Sequence, residues 1–520
     1  MTRIERPIST AAAPDGRPEA VRRSSSGDGV RRLSRRGLQL LRHMLIELDE
    51  RLNLQLAAIV ADAELQRLER TWRETHLLVS DVAKSLEHGR RSGNVRARVV
   101  VRVLDLSAEE LLRDIQGAMS RRKTEMFRHL YGKGIDFPAG QPVGLIVVGF
   151  EFAGEELRRA GLDDVAVREF AEYFAWLGNE CLAPVVMGMS PTFLSFDSFD
   201  EIAHVMPDRL CHQRLARTTW LDRLRRSDES RFLVFTMPRI LLRGPHRPTQ
   251  DVRCGFGFRH ALWRGTADRG VAAAASRGES VDDRHLFGSG AFALASVIAR
   301  SFAFSSWFTY VRGVECGDDW APDGGGVFIP PASEEFGTDT PTTAVKPSVD
   351  AVFSEDTEER LGTLGLAVIS GSPTRGWTAF HSIPSFRDIA AIASGRDVVS
   401  ERLGAMVQYL LCACRVAHLV HRYSQTLIGS TLTARQIEQH LQSWLSEYQV
   451  DNPDTGSSLL LKRPLRGVRA NVRSDPENLG RLLVDIWLQP HSQFSGATAN
   501  LHLVASVNDS SRRGGTGGRT

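Results

Sequence analysis

Two apolar periods succeed one another along the chain, and their order sets out the expected elements. Over residues 37–81 the spacing is helical, ending in AELQRLERTWRETHLLV, where Leu65, Leu68 and Trp72 recur at three and four residues. VRARVVVRVLDLS follows, with Val95, Ala97, Val99, Val101 and Val103 on one side and Arg96, Arg98 and Arg102 on the other. That is the period of a strand with one wet face. Ser107 and Glu110 then predict a helix opened by a capping box. The runs at 141–152 (QPVGLIVVGFEF) and 232–237 are short and almost wholly apolar, as strands covered on both faces are, and Pro238 should end the pairing of the second. A long apolar helix is predicted over 290–308, and helical patterns between the strands make the middle of the chain α/β. Residues 317–348, dense in Gly, Pro, Asp and Thr, are predicted to be loop.

The C-terminal pattern is sharper. An apolar helix is predicted over 400–427, and a second one starts at Thr433, with Gln436 returning the capping bond and Leu432 and Ile437 placed as a hydrophobic staple. Ile437, Leu441, Trp444, Leu445 and Tyr448 form its apolar stripe. Three alternating segments close the chain at 468–473, 482–490 and 499–507, and SDPENLG between the first two makes them a hairpin. In the last, Leu501, Leu503, Ala505 and Val507 point one way while Asn500, His502, Val504 and Ser506 point the other. It is left at an edge, to be paired in its own chain or in a neighbour.

Composition adds bounds rather than chemistry. Length allows about three domains, and 65 basic against 62 acidic residues, a net charge of +3, give no reason to expect nucleic acid. The basic residues are arginines apart from Lys84, Lys123, Lys133, Lys346 and Lys462, a bias that carries no function. Six scattered cysteines without a CxxC pair argue against a disulfide framework or zinc, and fit a reducing cytosol. The first 36 residues are too polar to bury and are expected to be disordered. SRRGLQL within 34–40 superficially matches a twin-arginine signal, but Arg42, Glu47, Asp49, Glu50 and Arg51 interrupt the apolar core such a signal needs. No apolar run has the length of a membrane span.

Candidate chemistry is thin. No GxxxxGK[ST] is present, and GFG at 255–257 lacks the rest of a dinucleotide fingerprint. GMSPT resembles half of a nucleophile elbow, so one alternative is an α/β hydrolase using Ser190 with His204 or His212; Pro191 directly after the serine and the missing glycine speak against it. His418 and His421 make an incomplete metal pair, and Cys412 and Cys414, two apart on a helix, cannot share a metal. A second alternative, an arginine-tail nucleic-acid binder, rests on Arg22, Arg23, Arg31, Arg32, Arg35 and Arg36; a solvated tail beside an acidic partner surface is the preferred reading. No catalytic residue, cofactor or metal is expected.

Taken together, the segments resemble the large subunit of the type VI secretion contractile sheath, the TssC/VipB family. The matches are ELQRLERTWRETHLLV, SPTFLSFDSFDEI, WLDRLRRSDESRFLVFTMPRILLRGPHRP, FGSGAFALASVIARSFAFSSWFTYVRGVECG, YLLCACRVAHLVHRYSQTLIGS with its following helix, and the hairpin with LQPHSQFSGATANLHLVASV. In order and spacing they cover about residues 37 to 507. Cys316, Asp318, Asp319 and Trp320 depart from the family pattern, and 261–286 reads as an altered loop.

The resemblance implies a contractile-tail-sheath-like α/β fold. It divides into a disordered arm (1–36), an N-terminal and middle α/β region (37–385), a C-terminal region with a helix pair, hairpin and exchanged strand (386–507), and a disordered tail (508–520). It also implies a cytoplasmic structural protein, not an enzyme, that pairs with the small sheath subunit (TssB/VipA). The pairs would polymerise around an Hcp tube on a baseplate, contract to inject effectors, and be recycled by the ClpV unfoldase, without nucleic acid or membrane insertion. Exchange between protomers would involve Leu501, Leu503, Ala505 and Val507 of the last strand and Val468, Val472, Val484 and Ile486 of the hairpin. Arg435, Glu438, Gln439 and Gln442 would lie on a helix facing the tube or a subunit.

Overall fold

The structure is a computed structural model describing residues 34–507, except 92, 94–96, 137–139, 155–156, 159, 211–218, 247–284, 309, 317–321, 333, 336–344, 347, 372–376, 390–397, 428–432, 451–462, 475–481 and 491–500. The GFG at 255–257, His212, Leu432, most of the altered loop, the turn at 475–481 and the greater part of both termini therefore lie outside the described residues.

The helical pattern over 37–81 resolves into two helices, α1 (Arg35–Val60) and α2 (Ala63–Arg91). Asp62 explains the break: its Oδ1 accepts the amides of Glu64 and Leu65, both at 3.1 Å, so it caps a new helix instead of continuing the old one. Residues 97–107 correct the expected strand. They are extended but, among the described residues, paired with no strand; Val99 and Val101 pack against Leu78, Val82, Phe292 and Ala295, and Ala97 is buried. The alternation was a true signal of extended backbone and of sidedness, but it carries no information about a partner. The next helix, α3 (Ala108–Gly117), starts with the expected capping box, Glu110 N to Ser107 Oγ at 3.2 Å and Ser107 N to Glu110 Oε2 at 3.0 Å.

Short apolar runs build the central sheet. β1 (Ile146–Val147), β2 (Val185–Gly188), β3 (Leu233–Met237), β4 (Val327–Phe328), β5 (Leu366–Gly371) and β6 (Thr378–Phe380) stand in the order β1-β2-β3-β5-β6-β4. The first four in that order are parallel, and β6 runs antiparallel to both neighbours. Successive residues serve opposite faces. Val185, Met187, Leu233 and Phe235 join Phe170, Phe174 and Leu177 of α4 (Asp164–Cys181), while Val186 and Val234 join Ala291, Leu294 and Ile298 of α5 (Gly290–Ser305). Both faces are thereby dry, which is why these strands read as continuous apolar runs. Two expectations change. The run at 141–152 supplies only β1 and an isolated bridge at Phe152, and the predicted loop at 317–348 supplies β4, which completes the sheet against β6.

The entry helix α2 is held on the body by close approach and by charge. A Cβ at Gly89 would stand 2.3 Å from the Ala303 carbonyl oxygen, so only glycine lets α2 lie this near α5. Buried Glu74 accepts the amide of Ser289 at 2.6 Å, at the residue that caps α5. Glu69 takes Arg243 at 2.9 and 3.3 Å. Beneath the sheet margin Glu151 accepts Arg239 at both oxygens, each 2.6 Å. Burial pushes the Glu151 carboxyl up, but the guanidinium outweighs it and holds the group below its ordinary value.

The helix expected over 400–427 is also two, α6 (Val398–Gly404) and α7 (Val407–Leu427). Between them, Val407 N bonds Ile383 O at 3.0 Å and Ser385 N bonds Ala405 O at 2.7 Å, so tertiary bonds take backbone groups that a continuous helix would use. α8 (Ala434–Ser446) opens with the predicted Thr433–Gln436 capping box. Three antiparallel strands follow, β7 (Leu465–Ser474), β8 (Leu482–Pro490) and β9 (Leu501–Val507).

Gly89→Val should destabilise the chain by about 1–3 kcal/mol, the usual range for overpacking. A lowered thermal midpoint with new protease cuts inside α2 is the expected result; an unchanged midpoint would show that α2 can stand off from α5 at no cost.

Candidate assembly interface

The three C-terminal strands form one sheet in the order β7-β8-β9. Their inner face belongs to the chain's own core: Val472, Val484 and Ile486 are buried with Leu441 and Leu445 of α8 and Val416 and Val420 of α7, and half-buried Val468 packs against them. On the outer face Asp485, 6% exposed, accepts Arg473 Nε at 2.7 Å across the β7–β8 ladder. This pair was not singled out from the sequence, although one carboxylate inside the apolar run LLVDIWL is the signal that would have found it.

The two margins of the sheet are treated differently. At β7, Gln442 donates to Val468 O at 2.9 Å and accepts from Ala470 N at 2.8 Å, and Glu438 accepts from Val472 N at 2.9 Å. These backbone groups point away from β8, so two side chains of α8 stand where a further strand would be. Glu438 and Gln442 are thus turned onto their own sheet, while Arg435 and Gln439 of the same helix are exposed. At the opposite margin β9 pairs with β8 over seven positions, from Leu482 with Val507 to Leu488 with Leu501. This pairing is within the chain. Ten residues, 491–500, join the two strands, more than a tight hairpin needs.

A second surface lies on α1, which has no buried residue. Leu38, Leu41, Leu45, Leu48, Leu52 and Ile59 are all exposed and follow one another at alternating steps of three and four, with Gln55 completing the series. Spacing of this kind lines one side of a helix as a coiled-coil seam. The stripe continues in kind on the start of α2, where Leu65, Leu68 and Trp72 are exposed.

The other candidates do not assemble into chemistry. Ser190 is buried, with its hydroxyl 2.9 Å from that of Thr192, whereas His204 is exposed and turns Nδ1 to its own Asp200 O at 2.7 Å. His418 lies with Nε2 2.9 Å from the Cys181 carbonyl oxygen, joining α7 to the end of α4. Its pKa is pushed down to about 4, chiefly by burial, with the carbonyl pulling partway back and His421 and Arg415 adding to the lowering. Burial pushes the thiols of Cys181 and Cys412 up to about 12 and that of Cys414 up as well, so they pack as small apolar groups. Among the described residues no three His, Cys, Asp or Glu side chains are grouped to hold a metal, and no helix is long and apolar enough to cross a membrane.

Comparison with known proteins matches two family models in succession. Residues 42–387 match the EvpB/VC_A0108 tail sheath N-terminal domain, and residues 396–507 match the EvpB/VC_A0108 tail sheath gpW/gp25-like domain. The chain is also similar to the type VI secretion system sheath protein TssC1 of Pseudomonas aeruginosa, 25% identical over 481 residues that cover 91% of this chain and 87% of that one.

Gln442→Leu should free two β7 backbone groups, at a cost of about 1–3 kcal/mol if they stay dry. Faster amide exchange at Ala470 is expected, and exchange at the wild-type rate would show that the side chain does not guard this edge. His418 gives a pH dependence. Its folded pKa, about 4, lies below the ordinary 6.5, so its contribution is whole above pH 6.5 and is lost as the pH falls towards 4. His418→Gln keeps a donor but not the titration, and should reduce the acid loss across that window by up to about 3 kcal/mol. Superimposable stability curves would remove His418 from the acid response.

Proposed function

The chain belongs to the EvpB/VC_A0108 tail sheath family, as a large subunit of the type VI secretion sheath, and from that premise we propose how it is joined into a sheath. It is a structural, non-enzymatic subunit, and its family implies a small sheath subunit as partner and self-association. In the arrangement proposed, small and large subunits form pairs in the bacterial cytoplasm, the pairs polymerise on a baseplate around a tube of Hcp, and contraction drives the tube and its effectors outward. The ClpV unfoldase then recycles the contracted sheath. No bond is made or broken in the chain: the extended sheath is metastable, and contraction gains contact area between subunits.

The observation that carries the coupling is the asymmetry of the C-terminal sheet. One margin is filled by Glu438 and Gln442, so a neighbour's strand enters from the other side of the sheet, where it can take the place of β9 on β8. That margin is held by the last strand, on a connection of ten residues that spans up to about 33–36 Å when extended. β9 of one protomer can therefore take the same register on β8 of the next, with Leu501, Leu503, Ala505 and Val507 placed opposite the β8 residues they face within one chain. At about 0.5–1.5 kcal/mol net per hydrogen bond, a strand of this length holds subunits together while their bodies turn. The α1 seam supports pairing in another way, since it fits a helix of the small subunit. Exposed Arg435 and Gln439 are left free to meet the tube or a subunit.

Co-expression with the small subunit should yield tubules by electron microscopy, and deleting residues 499–520 should abolish them while leaving the circular dichroism of the pair intact. Leu483 and Ser506 stand opposite each other in a pair without mutual hydrogen bonds, the kind in which side chains come closest. With Leu483→Cys and Ser506→Cys, oxidised tubules should give covalent chains of subunits on a non-reducing gel. Cross-links confined to single chains would end the exchange model, and pairs that never assemble would count against the sheath role itself.

A further inference from the structure

Residues 97–106, ARVVVRVLDL, are an extended segment with no strand paired to it among the described residues. Among the described residues none of their backbone amides or carbonyls bonds to another backbone group; the contact outward is Arg102 Nη2 to Gln141 Oε1 at 3.2 Å. The composition is that of a strand, four valines and no glycine or proline. One side is seated, since Val99 and Val101 lie on the same small cluster as Leu145 and Val147, at the β1 end of the central sheet, and Ala97 is buried. The segment is thus held extended before any partner arrives, which lowers the entropy cost of pairing.

The other side is left to water. Val100, Leu104 and Leu106 of that side are 51, 49 and 37% exposed, and Val103, past the seated end of the first side, is 69% exposed, an unusual display on a segment with bare backbone edges. Arg98 and Arg102 are exposed among them, with Asp105 as the segment's single acid. Resting on the sheath reading above, we infer that 97–106 is a strand-addition site. Its occupant is an extended strand of the small sheath subunit, with carboxylates facing Arg98 and Arg102 and apolar side chains meeting Val100 and Leu104. Main-chain bonds would supply the affinity, and the arginines the register.

Hydrogen exchange on the co-purified pair tests this directly. Amides of 97–106 should exchange at least about tenfold more slowly than an unstructured chain, while those of the large subunit alone should exchange near the unstructured rate. Val100→Pro and Val101→Pro each remove a donor, on opposite edges; one of them should weaken co-purification at least tenfold. Arg98→Glu with Arg102→Glu should weaken it too, and lose its effect in high salt. Unstructured-rate exchange of this segment inside an intact pair overturns the inference and leaves pairing by other surfaces standing. Protection already present in the isolated chain overturns it as well, because the cover would then come from within. If no pair forms at all, this inference and the pairing reading fall together.

Discussion

Backbone N–H and C=O groups along the margin of a sheet have to be bonded to something, and the identity of that something shapes each part of this chain. At β7 two side chains of α8 serve. At β8 the final strand serves, tied on by a long connection. At 97–106 no other backbone group among the described residues serves, on a segment otherwise built as a strand. A monomeric enzyme gains nothing from the last two arrangements. A protein that must be held by several neighbours gains attachment points that add bonds without disturbing its packed interior.

That interior is what the attachments act on. The central sheet is dry on both faces, with adjacent residues of β2 and β3 committed to separate cores, so the strands cannot slip by one residue without turning apolar groups into the wrong layer. Glycine-limited contact at Gly89, the Glu74 carboxylate at the start of α5 and the Glu69–Arg243 pair make α2 part of the same body. Charge is used here for placement, with each buried acid matched to a donor.

Much of this was legible in the sequence, and the failures share a cause. Capping boxes at Ser107 and Thr433 are local, three residues wide, and were read directly; so were the doubly covered run at 233–237 and the C-terminal hairpin. What escaped depended on partners distant along the chain. The alternation at 97–103 could not reveal that no strand among the described residues pairs with it, and the Gly- and Pro-rich stretch at 317–348 could not reveal that Val327 and Phe328 meet β6. The helix break near Ala405 is made by residues 383–385. Glu438 and Gln442 had the look of an exposed helix face, because the backbone they guard is some thirty residues away. The sheath resemblance was read from many short matches at once, and the family models cover the same stretch of chain.

The break at Asp62 has a mechanical meaning. α2 is fixed to the body from Glu69 onward, whereas α1 beyond the break buries nothing. A helix of 26 residues is about 39 Å long. Pivoting on Asp62 by about ten degrees would carry its far end some ~7 Å, more than a full helical pitch. A protein gripping α1 therefore holds the end of a lever: it can follow large swings of its own while the globular part of this chain scarcely turns.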